Sequence, residues 1–187
     1  MQFKIDGVEL FTLNKAFHDD RGYFIEVFKE STWPNKPVQS NVSYSKRNVV
    51  RGLHYQLGEH AQEKWVQVLS GKIIDVILDI REGSPTFGVV DQVELTPGSG
   101  IVKIHKNLAH GFWAVEESVI LYHCSSEYMP SHEGGINPLS PGLDLPWSQE
   151  QDLIISEKDL KSQEWKNYEK NVLRSSAFTH LYGSDSQ

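Results

Sequence analysis

Sulfur and basic charge are scarce in this sequence. Its 187 residues include one cysteine and two methionines, and 18 Lys+Arg stand against 25 Asp+Glu, a formal charge of -7. The lone Cys124 cannot close an internal disulfide and fits a reducing compartment, so a cytoplasmic location is expected. Without a basic excess, a binder of phosphate backbones is disfavoured and no nucleic-acid partner is expected. No apolar run approaches the ~18 residues of a membrane span. The start, Met1-Gln2-Phe3-Lys4-Ile5-Asp6, lacks the apolar stretch of a signal peptide. Internal repeats and low-complexity segments are also missing.

What is present is short strand signals. A chain of this length buries roughly 70% of its unfolded surface and needs no staples. It reads as one domain, 1–187, with a β core over about 5–130 and a loop and helical region over about 131–187. Tyr23 to Phe28 follows a turn at Asp19-Asp20-Arg21-Gly22. Val38 to Ser45 alternates weakly, and Trp65 to Leu69 is apolar with one polar break. Ser70-Gly71 is a hairpin signal before the β-branched run Lys72–Ile80. In that run Asp75 and Asp79, four apart, share one face of a strand. Gly88 to Leu95 and Gly100 to Ile104 read as further strands, and Glu116-Glu117 suggests a second hairpin between strands ending near Val115 and starting at Ser118. Turns spaced in this way have the rhythm of an antiparallel sandwich or barrel. Later in the chain, Ser156 as N-cap and Asp159 at the third position open a helix expected to run to about Arg174.

Three of the eight histidines keep unusual company. Arg51 and His54 flank Gly52, His110 precedes Gly111, and His123 sits in Tyr122-His123-Cys124. On a regular strand Tyr122 and Tyr128 would point the same way. A histidine near a strand end is also often a hydrogen-bonded structural residue, and Lys64 suits a solvated rim. The residues alone therefore reach a β-rich pocket protein with candidate His and Tyr chemistry. A metal alternative uses His54, His60, Glu63 and His110, the outline of a His/carboxylate site. Gln56 stands where that pattern needs a second histidine, and Gly58 argues for a loop between residues 54 and 60.

At Arg51-Gly52-Leu53-His54-Tyr55-Gln56 the sequence closely resembles the dTDP-4-dehydrorhamnose 3,5-epimerase family. The likeness includes Asp20 to Glu26, Gln39 to Ser43 and Gln62-Glu63-Lys64. It continues through Ser70 to Arg81, Gly83 to Gly88, Leu108 to Phe112, Tyr122 to Tyr128 and Ser156 to Asp159. In order and spacing it spans about residues 5–160.

The resemblance implies a mainly β, cupin-type antiparallel jelly roll with short C-terminal helices. It implies a homodimer that exchanges its N-terminal strand, with neither cofactor nor metal. The implied reaction inverts C3 and C5 of a nucleotide-linked 4-keto-6-deoxyhexose, dTDP-4-dehydro-6-deoxy-D-glucose becoming dTDP-4-dehydro-L-rhamnose. By resemblance His54 is the base, Asp159 orients it, Lys64 meets the C4 enolate and Tyr122 is the proton donor on the opposite face. Arg21, Glu26, Gln39, Asn41, Arg51, His110, Tyr128, Glu133 and Lys158 match substrate-binding positions, with Tyr128 stacking on the base. Arg21 and Glu26 would serve the site of the other subunit. Relatives that invert only C3 or only C5 keep the same His and Tyr. The departures from the family pattern, at Ser40, His105-Lys106-Asn107, Gly134 and Ser140, are expected around the pocket mouth and nucleotide end.

Overall fold

A computed structural model describes residues 2–12, 16–33 and 36–172. In chain order the strands are β1 (Val8–Phe11), β2 (Phe17–Asp19), β3 (Gly22–Phe24), β4 (Gln39–Ser45), β5 (Val49–Gln56) and β6 (Lys64–Ser70). They continue with β7 (Ile73–Asp79), β8 (Val90–Leu95), β9 (Ile101–Ile104), β10 (Leu108–Ala114), β11 (Ser118–Cys124), β12 (Glu133–Gly135) and β13 (Ile154–Ile155). One sheet runs β1-β9-β6-β11-β4, and the other runs β12-β5-β10-β7-β8 with β13 beside β5. Pairing along both paths is antiparallel, and β13 joins β5 in parallel. The expected mainly β jelly roll is the fold observed.

Two cores hold the sheets. The first lies between them and includes Val66, Val68 and Ile120 from one sheet and Ile73, Ile77 and Phe112 from the other. The second lies behind the β5-β10-β7 sheet, where Val50, Val76 and Leu78 meet Leu145, Trp147 and Trp165 of the C-terminal region. Strand β7 is therefore covered on both faces, which is why its β-branched run barely alternates. Asp75 and Asp79 are the polar breaks in it, on the face that looks between the sheets, and both are fully buried. Each has partners: His110 for Asp75, and Arg81, Ser84 and Thr86 for Asp79. A buried carboxylate without such partners would be costly.

Neither expected hairpin forms. β6 and β7 lie in different sheets, and so do β10 and β11. Ser70-Gly71 and Glu116-Glu117 are corners between sheets, and they pack against each other. Lys72 N donates to Ser118 Oγ at 3.0 Å, and a Cβ on Gly71 would lie 2.1 Å from the Glu117 carbonyl oxygen. Burying the apolar faces of both strands in one core outweighs local pairing.

The strand expected over Tyr23 to Phe28 is shorter, ending at Phe24. Beyond it Phe28 turns onto Trp33 and His123, with ring centroids 5.0 and 5.7 Å away. The long C-terminal helix is also broken. Ser156 caps α1 (Glu157–Leu160) as expected, accepting from Asp159 N at 3.1 Å. The helix then stops, because Asn137 Nδ2 takes the Leu160 carbonyl and Asn137 N takes that of Gln163. A second helical segment covers 165–172. Its first amide, of Trp165, donates to buried Ser140 Oγ at 3.0 Å. Arg174 lies outside the described residues. No helix among the described residues is long and apolar enough to cross a membrane.

Candidate active site

A cleft opens at one end of the space between the sheets. One part is a cavity of about 550 Å³ lined by Arg51, His54, Lys64, His110, Tyr122 and Asp159, among others. A second, of about 330 Å³, shares His54, Lys64, Tyr122 and Lys158 with the first and adds Gln39, Asn41, Tyr128 and Glu133. Both sizes suit small-molecule sites. His54 and His110 come from one sheet, on β5 and β10, whereas Lys64 and Tyr122 come from the facing sheet, on β6 and β11.

Arg51 and His54 are three residues apart and would lie on opposite faces of a regular strand. A bulge brings both into the cleft. His110 is opposite His54 and Phe112 is opposite Arg51, so three steps on β5 match two on β10. Two glycines make this approach possible. A Cβ on Gly52 would lie 2.6 Å from Gly111 Cα, and one on Gly111 would lie 2.5 Å from the Arg51 carbonyl oxygen. Gly52 also has φ +108°, a region L side chains rarely enter. The glycine beside each histidine is thus the means by which the two strands meet.

His54 Nε2 lies 2.7 Å from Asp159 Oδ1. The Asp159 side chain is 5% exposed and that of His54 is 31% exposed, so a buried carboxylate holds a ring that reaches the cleft. Burial works to raise the Asp159 pKa, but hydrogen bonds from His54, Gly52 N and Ser156, with the charge of His54, hold it below the ordinary carboxylate value. Asp159 is therefore an acceptor, and the proton between them belongs to Nε2. His110 forms a second pair, 2.7 Å from Asp75 Oδ1. Sequence reasoning missed Asp75 as a site-supporting residue. Its signal was an aspartate inside an apolar, β-branched run.

Lys64 is half-buried. Desolvation pulls its ammonium below the usual lysine value, against the opposite pull of Cys124, Glu133 and Asp75. Burial pushes the Tyr122 phenol up, with Cys124 adding to the shift and Arg51 opposing it. Tyr122 stays protonated at neutral pH.

Strand β11 ends at Cys124, so strand geometry does not align Tyr122 with Tyr128. A polar chain brings Tyr128 to the cleft instead. Its amide donates to Gln39 Oε1 at 2.8 Å, its hydroxyl donates to Glu133 Oε2 at 2.8 Å, and Lys158 Nζ donates to the same oxygen at 2.5 Å. Burial alone would raise the Glu133 pKa, but these bonds and the charges of His54 and Lys158 lower it. Gln39 Nε2 donates to Asn41 Oδ1. Arg51 donates to Ser45 Oγ and to the Tyr44 carbonyl. Arg21 lines neither part of the cleft. It pairs with Asp19 and is 90% exposed on the β2-β3 hairpin. Glu26 also lies outside the cleft lining.

The metal set His54, His60, Glu63 and His110 is not assembled. His54 and His110 go to their aspartates, Glu63 lies 3.4 Å from His105, and His60 turns toward Glu59 and His132. None of the departures from the family pattern lines the cleft itself, but Ser40 lies between the lining residues Gln39 and Asn41, and Gly134 follows Glu133. Ser140 caps the last helical segment, and the lack of a side chain at Gly134 leaves room for the Tyr55 ring. Ser40 Oγ bonds His123 Nδ1 at 2.8 Å, and His105 packs beside Gly7.

The dTDP-4-dehydrorhamnose 3,5-epimerase family profile matches residues 2–167. A dTDP-4-dehydrorhamnose 3,5-epimerase of Methanothermobacter thermautotrophicus is 39% identical over 166 residues, 84% of this chain and 88% of the relative. The crystal structure of the Legionella pneumophila dTDP-6-deoxy-D-glucose-3,5-epimerase in complex with dTDP-4-keto-L-rhamnose superposes with a TM-score of 0.82 at 33% identity, covering 92% of this chain and 95% of that one. A 3'-monoepimerase from Streptomyces bikiniensis in complex with dTDP-quinovose gives 0.81 at 26% identity, covering 93% and 95%. With its His–Asp pair facing a lysine and a tyrosine across the cleft, the chain belongs to the dTDP-4-dehydrorhamnose 3,5-epimerase family and is an isomerase of the epimerase class.

Proposed function

We propose that the protein inverts C3 and C5 of dTDP-4-dehydro-6-deoxy-D-glucose to give dTDP-4-dehydro-L-rhamnose, as one epimerase domain acting in the cytoplasm. The observation that carries this reading is the bond of His54 Nε2 to buried Asp159, from the sheet opposite Lys64 and Tyr122. With Nε2–H given to Asp159, Nδ1 keeps its lone pair and is the basic atom. The C4 ketone acidifies the protons on C3 and C5, and His54 removes them in turn. A general base of this kind contributes on the order of 10²–10⁴-fold. Lys64 stabilises the C4 enolate in a partly dry site, where a fixed cation is worth more than in water. Tyr122 returns a proton from the opposite face. No step calls on a cofactor or a metal.

The second part of the cleft suits the nucleotide. Tyr128 offers a ring for the base, and Gln39, Asn41, Glu133 and Lys158 supply polar contacts around it. Arg51 and His110 reach the diphosphate or sugar, where the guanidinium fork fits phosphate oxygens.

Arg21 and Glu26 act on the site of a second subunit in a homodimer. Supporting this, the β2-β3 hairpin pairs with no other strand among the described residues. It exposes Phe17, Tyr23 and Phe24, while β4 ends its sheet with Val42 and Tyr44 exposed. Apolar residues on a hairpin and beside a free edge suit a partner surface. Mixed dimers of His54→Ala and Arg21→Ala chains should recover activity that neither parent has; no recovery places Arg21 outside the partner's site.

The test of the reaction is proton NMR of dTDP-4-dehydro-6-deoxy-D-glucose with enzyme in D₂O. Deuterium should enter at both C3 and C5. Entry at one carbon alone would favour the single-carbon alternative, which the likeness to a 3'-monoepimerase keeps open. No exchange at either carbon would overturn the reading.

A further inference from the structure

His60, weighed above as part of a different ligand set, has other neighbours. It closes the 3₁₀ turn Gly58–His60, and His132 closes the turn Pro130–His132. The imidazole centroids are 4.4 Å apart. Glu59 Oε1 is 3.7 Å from His60 Nε2. One ligand atom from each of Glu59, His60 and His132 lies within 4.8 Å of the others. These three residues line neither part of the catalytic cleft.

The backbones that carry the two rings are tied together. Leu57 N donates to the His132 carbonyl at 3.1 Å. Buried Gln56 donates through Nε2 to the His60 carbonyl at 2.9 Å and accepts from Met129 N through Oε1 at 2.7 Å. One buried amide thus braces both turns. The two rings are half-buried, and Glu59 is exposed.

We propose that His60, His132 and Glu59 form a binding site for a divalent transition metal of the zinc class. Two imidazoles and one carboxylate are a recognised donor set for such ions, with nitrogen favouring zinc-like over magnesium-like cations. Bonds of roughly 2.0–2.2 Å to a tetrahedral ion require donor atoms about 3.3 Å apart. From the present spacing, within 4.8 Å, binding would draw the three donors together by side-chain rotation. The ion would clamp the two turns and so stiffen the segment that leads into Glu133.

The test is calorimetric titration of the untagged full-length protein with Zn²⁺ alone. One ion per chain is expected. His60→Ala and His132→Ala should each weaken binding at least about tenfold, since loss of even an outer-shell partner costs 10–100-fold, while His18→Ala should leave it unchanged. Failure of the wild type to bind stoichiometrically, or binding that survives both substitutions, would overturn the proposal. Should either variant fail to fold, NMR of the wild type decides. Zn²⁺ must shift the ring signals of both His60 and His132; if those signals stay still, the site does not exist.

Discussion

Asp159 meets His54 across 105 residues of chain, with 2.7 Å between Oδ1 and Nε2. One helical turn makes the contact. Ser156 caps that turn, and the first-turn position this creates sends the carboxylate back toward β5. Gly52 N also donates to Asp159 Oδ2 at 3.3 Å, so the residue that permits the bulge helps hold the carboxylate.

His54→Ala should lower kcat/KM by about 10²–10⁴-fold and slow exchange at both carbons to match, with dTDP binding retained in calorimetry. Asp159→Asn should cost much of the same factor, because an amide can donate as well as accept and no longer dictates the tautomer. Full turnover in His54→Ala would remove it as the base.

Tyr122→Phe keeps the ring and loses the proton. Net inversion should slow more than the first proton loss, so washout of substrate hydrogen outpaces product formation in D₂O. Equal loss of both rates would show that Tyr122 is not simply the acid.

Asp79 sets an acid limit on stability. Burial alone would raise its pKa, but hydrogen bonds from Arg81, Ser84 and Thr86 take it from 3.8 to about 2, and its side chain is fully buried. A depressed carboxyl stabilises the fold fully above its unfolded pKa. The contribution is lost as pH falls from near 4 toward 2 and amounts to about 2 kcal/mol. Denaturant melts at pH 6 and pH 2.5 should show the loss in wild type. It should be smaller in Asp79→Asn, which is already weaker at pH 6.

Gly52→Ala should destabilise by roughly 2–4 kcal/mol, from overpacking and from a backbone region closed to L side chains. The clash is with the backbone of Gly111 and His110, which cannot move aside as a side chain can. Thermal melts with circular dichroism measure it. A melting temperature like that of wild type would mean that β5 can re-form without its bulge.

Strand positions were legible because apolar faces, β-branched runs and turn residues are local. Val38 to Ser45, Trp65 to Leu69 and Lys72 to Ile80 each hold a strand near those limits. Strand partners were not legible. Ser70-Gly71 reads as a hairpin turn, but which sheet each flanking strand joins depends on where its apolar face finds cover. The helix from Ser156 started where its cap said and stopped where Asn137, some twenty residues earlier, took its carbonyls.

The same division runs through the site. Residue types and their order by themselves reached a β-rich pocket protein with candidate His and Tyr chemistry, and resemblance over many short segments then supplied the family and the candidates His54, Lys64, Tyr122 and Asp159, because those are properties of local sequence. Only the tertiary structure decided that Arg51 and His54 face the same way, that Asp75 supports His110, and that His60 belongs with His132. It also decided that none of the family departures lines the cleft itself. A bulge, a buried pair and the meeting of two turns each depend on contacts between segments far apart in the chain, and no local pattern encodes that distance.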